Sequence, residues 1–136
     1  MIGILIISHG TLGESLIRSV SHVLGQPPQR VQQLGVAADD EPEHIVPRAR
    51  ELVRELDDGS GVLVLTDIYG ATPCNTAMLL LEKDRVEGLS GVSLPMLVRA
   101  LTYRNENLAV VVEKALHGAR EGVVHMNTDC CRDAKC

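Results

Sequence analysis

The sequence contains no phenylalanine, no tryptophan and only two tyrosines in 136 residues. A hydrophobic core must therefore be assembled from Leu, Val, Ile, Ala and Met. The stacking platform on which single-stranded nucleic acid binds has no residues to form it. A basic excess is also missing: 13 Lys and Arg stand against 18 Asp and Glu, a net charge of −5. Binders of phosphate backbones carry a basic footprint, so the balance argues against nucleic acid while leaving room for one local anion. No run approaches the roughly 18–20 apolar residues of a membrane helix. The N-terminal run Ile2–Ile7 is too short for a signal-peptide core and lacks a basic start. Cysteine is sparse, with Cys74 in the body and Cys130, Cys131 and Cys136 at the end, a distribution that suggests no disulfide framework. A cytoplasmic protein is expected.

What is present fits one domain. Apolar residues make up 45% of the chain, enough for a core without staples. Short β-branched runs alternate with amphipathic helical stripes, the pattern of an α/β sandwich around a largely parallel sheet. Ile2–Ile7 reads as a strand covered on both faces. A helix follows with Leu12, Leu16, Val20, Val23 and Leu24 on one side; Thr11 and Glu14 have the spacing of a capping box, and Gly25 closes it. The next elements are a strand near Val31–Val36, a helix after Asp40 carrying Ile45, Ala49, Leu52, Val53 and Leu56, and a strand at Val62–Thr66. Thr72 is expected to cap a third helix that has Pro73 in its first position and runs through Leu81. A strand near Val86–Val92, a short helix after Pro95 and a longer one with Leu108, Val111, Val112, Ala115, Leu116 and Ala119 complete the pattern. Gly122–Met126 is strand-like. Residues 1–126 are expected to form the domain, and residues 127–136 a mobile polar tail.

In open α/β sheets ligands bind beyond the carboxyl ends of the strands, where strand order reverses. Two reactive segments leave such ends: Ser8-His9-Gly10-Thr11 after the first strand and Asp67 to Pro73 after the third. In the order 2-1-3-4 those strands are neighbours, so His9 and Asp67 would meet. A neutral imidazole, ordinarily titrating near 6.5, is a competent nucleophile toward phosphorus when a carboxylate fixes its tautomer. Phosphoryl transfer asks for little beyond alignment and donors to the equatorial oxygens. Helix starts near Thr11 and Thr72 would offer free backbone N–H groups, and Gly10, Gly70 and Ala71 keep the rim low. Taken singly each feature has a plain structural reading: a histidine after a strand is as a rule solvated or structural, an aspartate there caps a turn, and Thr-Pro starts a helix. Their placement at two adjacent strand ends is what joins them.

The segments MIGILIISHGT (Met1–Thr11), GVLVLTDIYGATPCNTA (Gly61–Ala77), LSGVSLPMLVRAL (Leu89–Leu101) and ALHGAREGV (Ala115–Val123) resemble the IIA component of mannose-type sugar phosphotransferase systems. The likeness runs to about Met126. It implies a phosphocarrier that needs no cofactor or metal: His9 would be the phosphorylated residue, Asp67 its orienting carboxylate, and Thr72 a hydroxyl at the rim beside Gly10, Thr11, Gly70 and Ala71. It further implies a histidine-containing phosphocarrier protein as donor and membrane contact only through a permease complex. A four-stranded parallel core and a homodimer exchanging a C-terminal antiparallel strand, here Gly122–Met126, also follow. Many relatives continue into a IIB domain, so a separate IIB protein is the expected acceptor.

The cysteine tail is foreign to that pattern. With His125 it would match no zinc template. Cys74 stands at a helix start, where it reads as a filler. A stand-alone regulatory phospho-acceptor is an alternative reading, since a phosphate adds roughly two charges to an interface. A tetrapyrrole metal chelatase is a more distant one, because it wants a second histidine beside the first, whereas His22, His44 and His117 fall on helical segments expected to face solvent.

Overall fold

The computed structural model describes residues 1–127. Among these residues nine elements follow one another: β1 (Gly3–His9), α1 (Leu12–Leu24), β2 (Val31–Val36), α2 (Pro42–Leu56), β3 (Val62–Thr66), α3 (Thr72–Met78), β4 (Val86–Ser90), α4 (Leu94–Thr102) and α5 (Leu108–Glu121). The four strands form one sheet in the order β2-β1-β3-β4, every pair parallel. Strand order reverses between β1 and β3, which places the expected crevice at their carboxyl ends.

The continuous apolar runs of β1 and β3 are explained by helices on both faces. Ile4 and Ile6 of β1, with Leu63 and Leu65 of β3, pack beneath α1, α4 and α5 around Val20, Met96, Leu97, Val111 and Ala115. Leu5 and Ile7, with Val62 and Val64, pack beneath α2 and α3 around Ile45, Ala49, Leu52, Leu56 and Ala77. A side chain of this size, buried completely, contributes about 1.5–3 kcal/mol of transfer free energy. Two aliphatic layers therefore supply the core that aromatics would ordinarily help to fill.

The amino ends of the strands are tied by charge. Arg104, only 6% exposed, donates to the carbonyls of Ile2 (2.7 and 3.1 Å), Arg30 (3.0 Å) and Gln29. Burial pulls its pKa down from the ordinary arginine value. Sequence periodicity gives no hint of this clamp.

Several local expectations need correction. Thr11 is the N-cap of α1, yet it makes no side-chain cap, and Glu14 pairs with Arg18 at 3.4 Å instead of closing a capping box. The cap comes from the preceding strand, where the buried Ser8 Oγ accepts from the Gly13 N–H at 2.9 Å. α3 starts one residue early, with Ala71 as its N-cap and Thr72 inside, and stops at Met78 rather than reaching Leu81. β4 ends at Ser90, not Val92. Residues 122–126 pair with no strand among the described residues, and Val123 and Met126 are exposed. Cys130, Cys131 and Cys136 lie outside the described residues.

Candidate phosphoacceptor site

β1 delivers His9 and β3 delivers Asp67 to the same end of the sheet because the strands are parallel neighbours, with Ile7 opposite Thr66. The contact is direct: His9 Nδ1 lies 2.7 Å from Asp67 Oδ2, and the same oxygen accepts from the His9 backbone N–H at 2.9 Å. Asp67 Oδ1 accepts from the Ile68 N–H at 3.1 Å. Burial of Asp67 acts to raise its pKa, but the His9 amide, the His9 ring and its own turn outweigh that and hold the carboxyl below the ordinary 3.8. An ionised carboxylate has no proton to give, so Nδ1 is the donor and Nε2 of the neutral ring carries the free lone pair. The ring is 52% exposed while the Asp67 side chain is 12% exposed. The orienting group is sheltered and the ring is accessible.

The frame around His9 depends on two close approaches. A Cβ on Gly13 would stand 3.0 Å from Gln33 Cβ and 3.1 Å from Ser8 Oγ, so glycine lets the first turn of α1 sit down on the strand ends. A Cβ on Gly35 would stand 2.3 Å from the Gly10 carbonyl, so the loop after His9 crosses β2 only over a bare backbone. Gly10 also donates to the Val36 carbonyl at 3.0 Å. Ser8, expected only as a neighbour of the histidine, is the residue the sequence reading missed; its hydroxyl ties α1 to the strand that presents His9.

The rim residues fall on the two loops at this end. Gly10 and Thr11 are exposed after β1, Gly70 is exposed after β3, and Ala71 and Thr72 are half-buried at the start of α3. Gly10 and Gly70 turn through positive φ, at 54° and 87°. The first turns of α1 and α3 thus open on the same end of the sheet as His9. The other histidines are elsewhere: His22 in α1, His44 in α2, His117 in α5 and His125 beyond it, all exposed. Among the described residues no group of three or more His, Cys, Asp and Glu is placed to hold a metal ion. None of their helices is long and apolar enough to cross a membrane.

A family profile described as "PTS system fructose IIA component" matches residues 3–116. The chain is 30% identical over 125 residues to the "PTS system mannose-specific EIIAB component" of Escherichia coli, aligning 90% of this chain and 38% of that protein. It therefore spans well under half the length of that relative. It is 28% identical over 116 residues to the "PTS system fructose-specific EIIA component" of Bacillus subtilis, aligning 81% of this chain and 75% of that one. Among solved structures, phosphotransferase system component EIIA from Streptococcus agalactiae superposes with a TM-score of 0.82 at 27% identity, covering 93% of this chain and 98% of that one.

Proposed function

Because the chain belongs to the fructose/mannose-type IIA family of the sugar phosphotransferase system, we propose that it is a phosphocarrier whose acceptor atom is Nε2 of His9. The Nε2 lone pair attacks phosphorus on the phosphohistidine of a histidine-containing phosphocarrier protein. The new N–P bond forms at His9 as the donor's N–P bond breaks, and the donor imidazole keeps the electron pair. Nδ1 retains its proton throughout, and the positive charge that the ring acquires is balanced by Asp67 at 2.7 Å. No proton must be lost, so attack needs no general base. The single observation that carries this reading is that contact between a half-exposed ring and a sheltered, ionised carboxylate.

Backbone N–H groups at the starts of α1 and α3, together with the Thr11 and Thr72 hydroxyls, are the groups available to the three phosphoryl oxygens. Gly10, Gly70 and Ala71 keep the rim low at their own positions, while Ile68 and Tyr69 of the loop after β3 stand exposed beside them. Release runs the same chemistry in reverse, onto a IIB component of a sugar permease. The donor, the acceptor and a cytoplasmic location belong to this proposal, which family membership supports.

A homodimer fits the exposed segment that follows α5. Val123, Val124 and Met126 are 85%, 48% and 81% exposed, and among the described residues β4 has β3 as its one paired strand, with Glu82 bridging its outer side at Val86 alone. The segment would add to the open edge of β4 in a second copy, removing one hazard with another. Light scattering should show a dimer that becomes a monomer when the chain is cut after Gly122. A cut protein that remained dimeric would remove this part of the reading.

The phosphorylation test is direct. Incubated with labelled phosphoenolpyruvate, enzyme I and the phosphocarrier protein, the chain should acquire one acid-labile phosphate. A His9→Ala protein that still acquired it would end the proposal.

A further inference from the structure

The chain carries a net charge of −5, yet one cavity at the amino end of the sheet, remote from His9, is bordered by three arginines. It has a volume of about 190 Å3 and lies between the last turns of α2, the turn after α3 and the start of β4. Arg50, Arg54 and Arg85 stand around it and are exposed, while Val53, Leu80 and Val86 give it an apolar lining. Glu82 bridges to Val86 on the outer side of β4 at this corner, so the edge left open to a second copy begins beyond it.

Two of the three arginines have no counter-charge. Arg85 is committed to Asp57 at 2.8 Å, and Asp57 is filled further by the Gly59 and Gly61 N–H groups. The acids on α2 turn to Arg48, which pairs with Glu51 at 3.1 Å and reaches Glu55 at 4.0 Å. Among the described residues no carboxylate pairs with Arg50 or Arg54, the Glu82 carboxylate included. Arg50 makes one long hydrogen bond, 3.4 Å to the Leu79 carbonyl. The spacing of four residues sets both cations on one face of α2, where like charges repel. Arg54 lies in the last turn, but the helix dipole there offsets only about half a charge. Positive charge is therefore left over beside an apolar recess.

We propose that this cavity binds a phosphate monoester with a compact apolar body, the phosphoryl oxygens on the Arg50 and Arg54 guanidinium groups and the body against Val53, Leu80 and Val86. Two unpaired guanidinium groups match the charge of a dianion, and their planar donor forks match its oxygens, which exceed those of a single carboxylate. Size limits the body. A cavity of about 150 Å3 holds benzene, so one ring fits the recess with the phosphoryl group at the exposed mouth. Glu82 on the same lining disfavours a second acidic group on the ligand. The site is independent of the phosphoryl transfer proposed at the other end of the sheet.

Phenyl phosphate is the probe, followed by nitrogen-15 NMR of the arginine side chains in the full chain at about 0.1 M salt. It should shift the Arg50 and Arg54 resonances together and saturably, while phenol shifts neither. Arg54→Gln should weaken binding about tenfold, and Arg54→Lys, which keeps the charge without the fork, should fall between. Both substitutions lie on an exposed helix face, and unchanged circular dichroism confirms the fold. Absence of a saturable shift, or equal affinity in the unaltered and Arg54→Gln chains, would overturn the proposal. So would inorganic phosphate or sulfate binding as tightly as phenyl phosphate, which would mean an adventitious ion only. Shifts confined to the Gly10 and Gly70 amides would also overturn it, by placing the probe at the His9 loops. The readout needs no phosphorylated protein, so the two proposals fail separately.

Discussion

Two aspartates, Asp57 and Asp67, stand just outside the opposite ends of β3, and their settings are nearly matched. Asp57 accepts from the Gly59 N–H at 2.8 Å, the Gly61 N–H at 3.0 Å and Arg85 Nη2 at 2.8 Å. Asp67 accepts from the His9 N–H, the Ile68 N–H and His9 Nδ1 at similar distances. Their side chains are 10% and 12% exposed, and each has a half-exposed or more exposed nitrogen partner. In both, burial opposes the charge and donors outweigh it, leaving the pKa below 3.8. What differs is the partner. Arg85 has five donors and no lone pair, so the amino-end pair can only hold loops together. His9 has one nitrogen held and one left over, which is what the proposed transfer to the carboxyl-end pair requires. Under the proposed function the same carboxylate device is a clasp at one end of the strand and an orienting group at the other.

Substitutions should separate the two ends, and the largest effect belongs to His9. His9→Ala should abolish phosphate uptake, whereas Arg85→Ala should leave it intact; a phosphorylation assay on both proteins measures the contrast. Asp67→Asn comes next. It should slow transfer on the order of 10²-fold, because an amide neither fixes the Nδ1–H tautomer nor balances the charged ring, and it should leave the circular dichroism spectrum unchanged.

Asp57→Asn should reverse that pattern. It should lower unfolding stability by about 1–2 kcal/mol at pH 7 in urea titration, limited by the exposure of Arg85, and leave the transfer rate alone. Its pH dependence has a definite sign. A carboxyl whose folded pKa is depressed contributes stability that is complete above the ordinary 3.8 and is lost as pH falls toward the folded value. The gap between the unaltered and Asp57→Asn proteins should therefore be constant from pH 7 to 5 and close below about pH 4. Ser8→Ala should have the smallest effect on stability, about 1 kcal/mol, from leaving the Gly13 N–H without its acceptor. It should slow transfer only modestly.

Much of this was legible in the sequence where one physical constraint dominates. Val62–Thr66 is bounded by turn residues and buried on both faces, so its limits coincide with the structure. His9 and Asp67 were found because parallel strands must present their carboxyl ends together, and strand order then fixes which two are neighbours. The order 2-1-3-4 itself is a property of packing that no local window contains. The misreadings share a cause. Thr11 and Glu14 have capping-box spacing, but the buried Ser8 hydroxyl reaches the helix start from another element. No local pattern marks Arg104, which spans three carbonyls contributed by segments remote in sequence. Local patterns identify elements; contacts between distant segments decide which polar groups they satisfy.

The central claim is that Asp67 holds the proton on Nδ1 and leaves Nε2 to take the phosphoryl group. Nitrogen-15 and phosphorus-31 NMR of the chain phosphorylated with ring-labelled histidine measures this directly. The account predicts a one-bond nitrogen–phosphorus coupling at Nε2 of His9, with Nδ1 still protonated. Phosphorus attached to Nδ1, or to any other histidine, would contradict it.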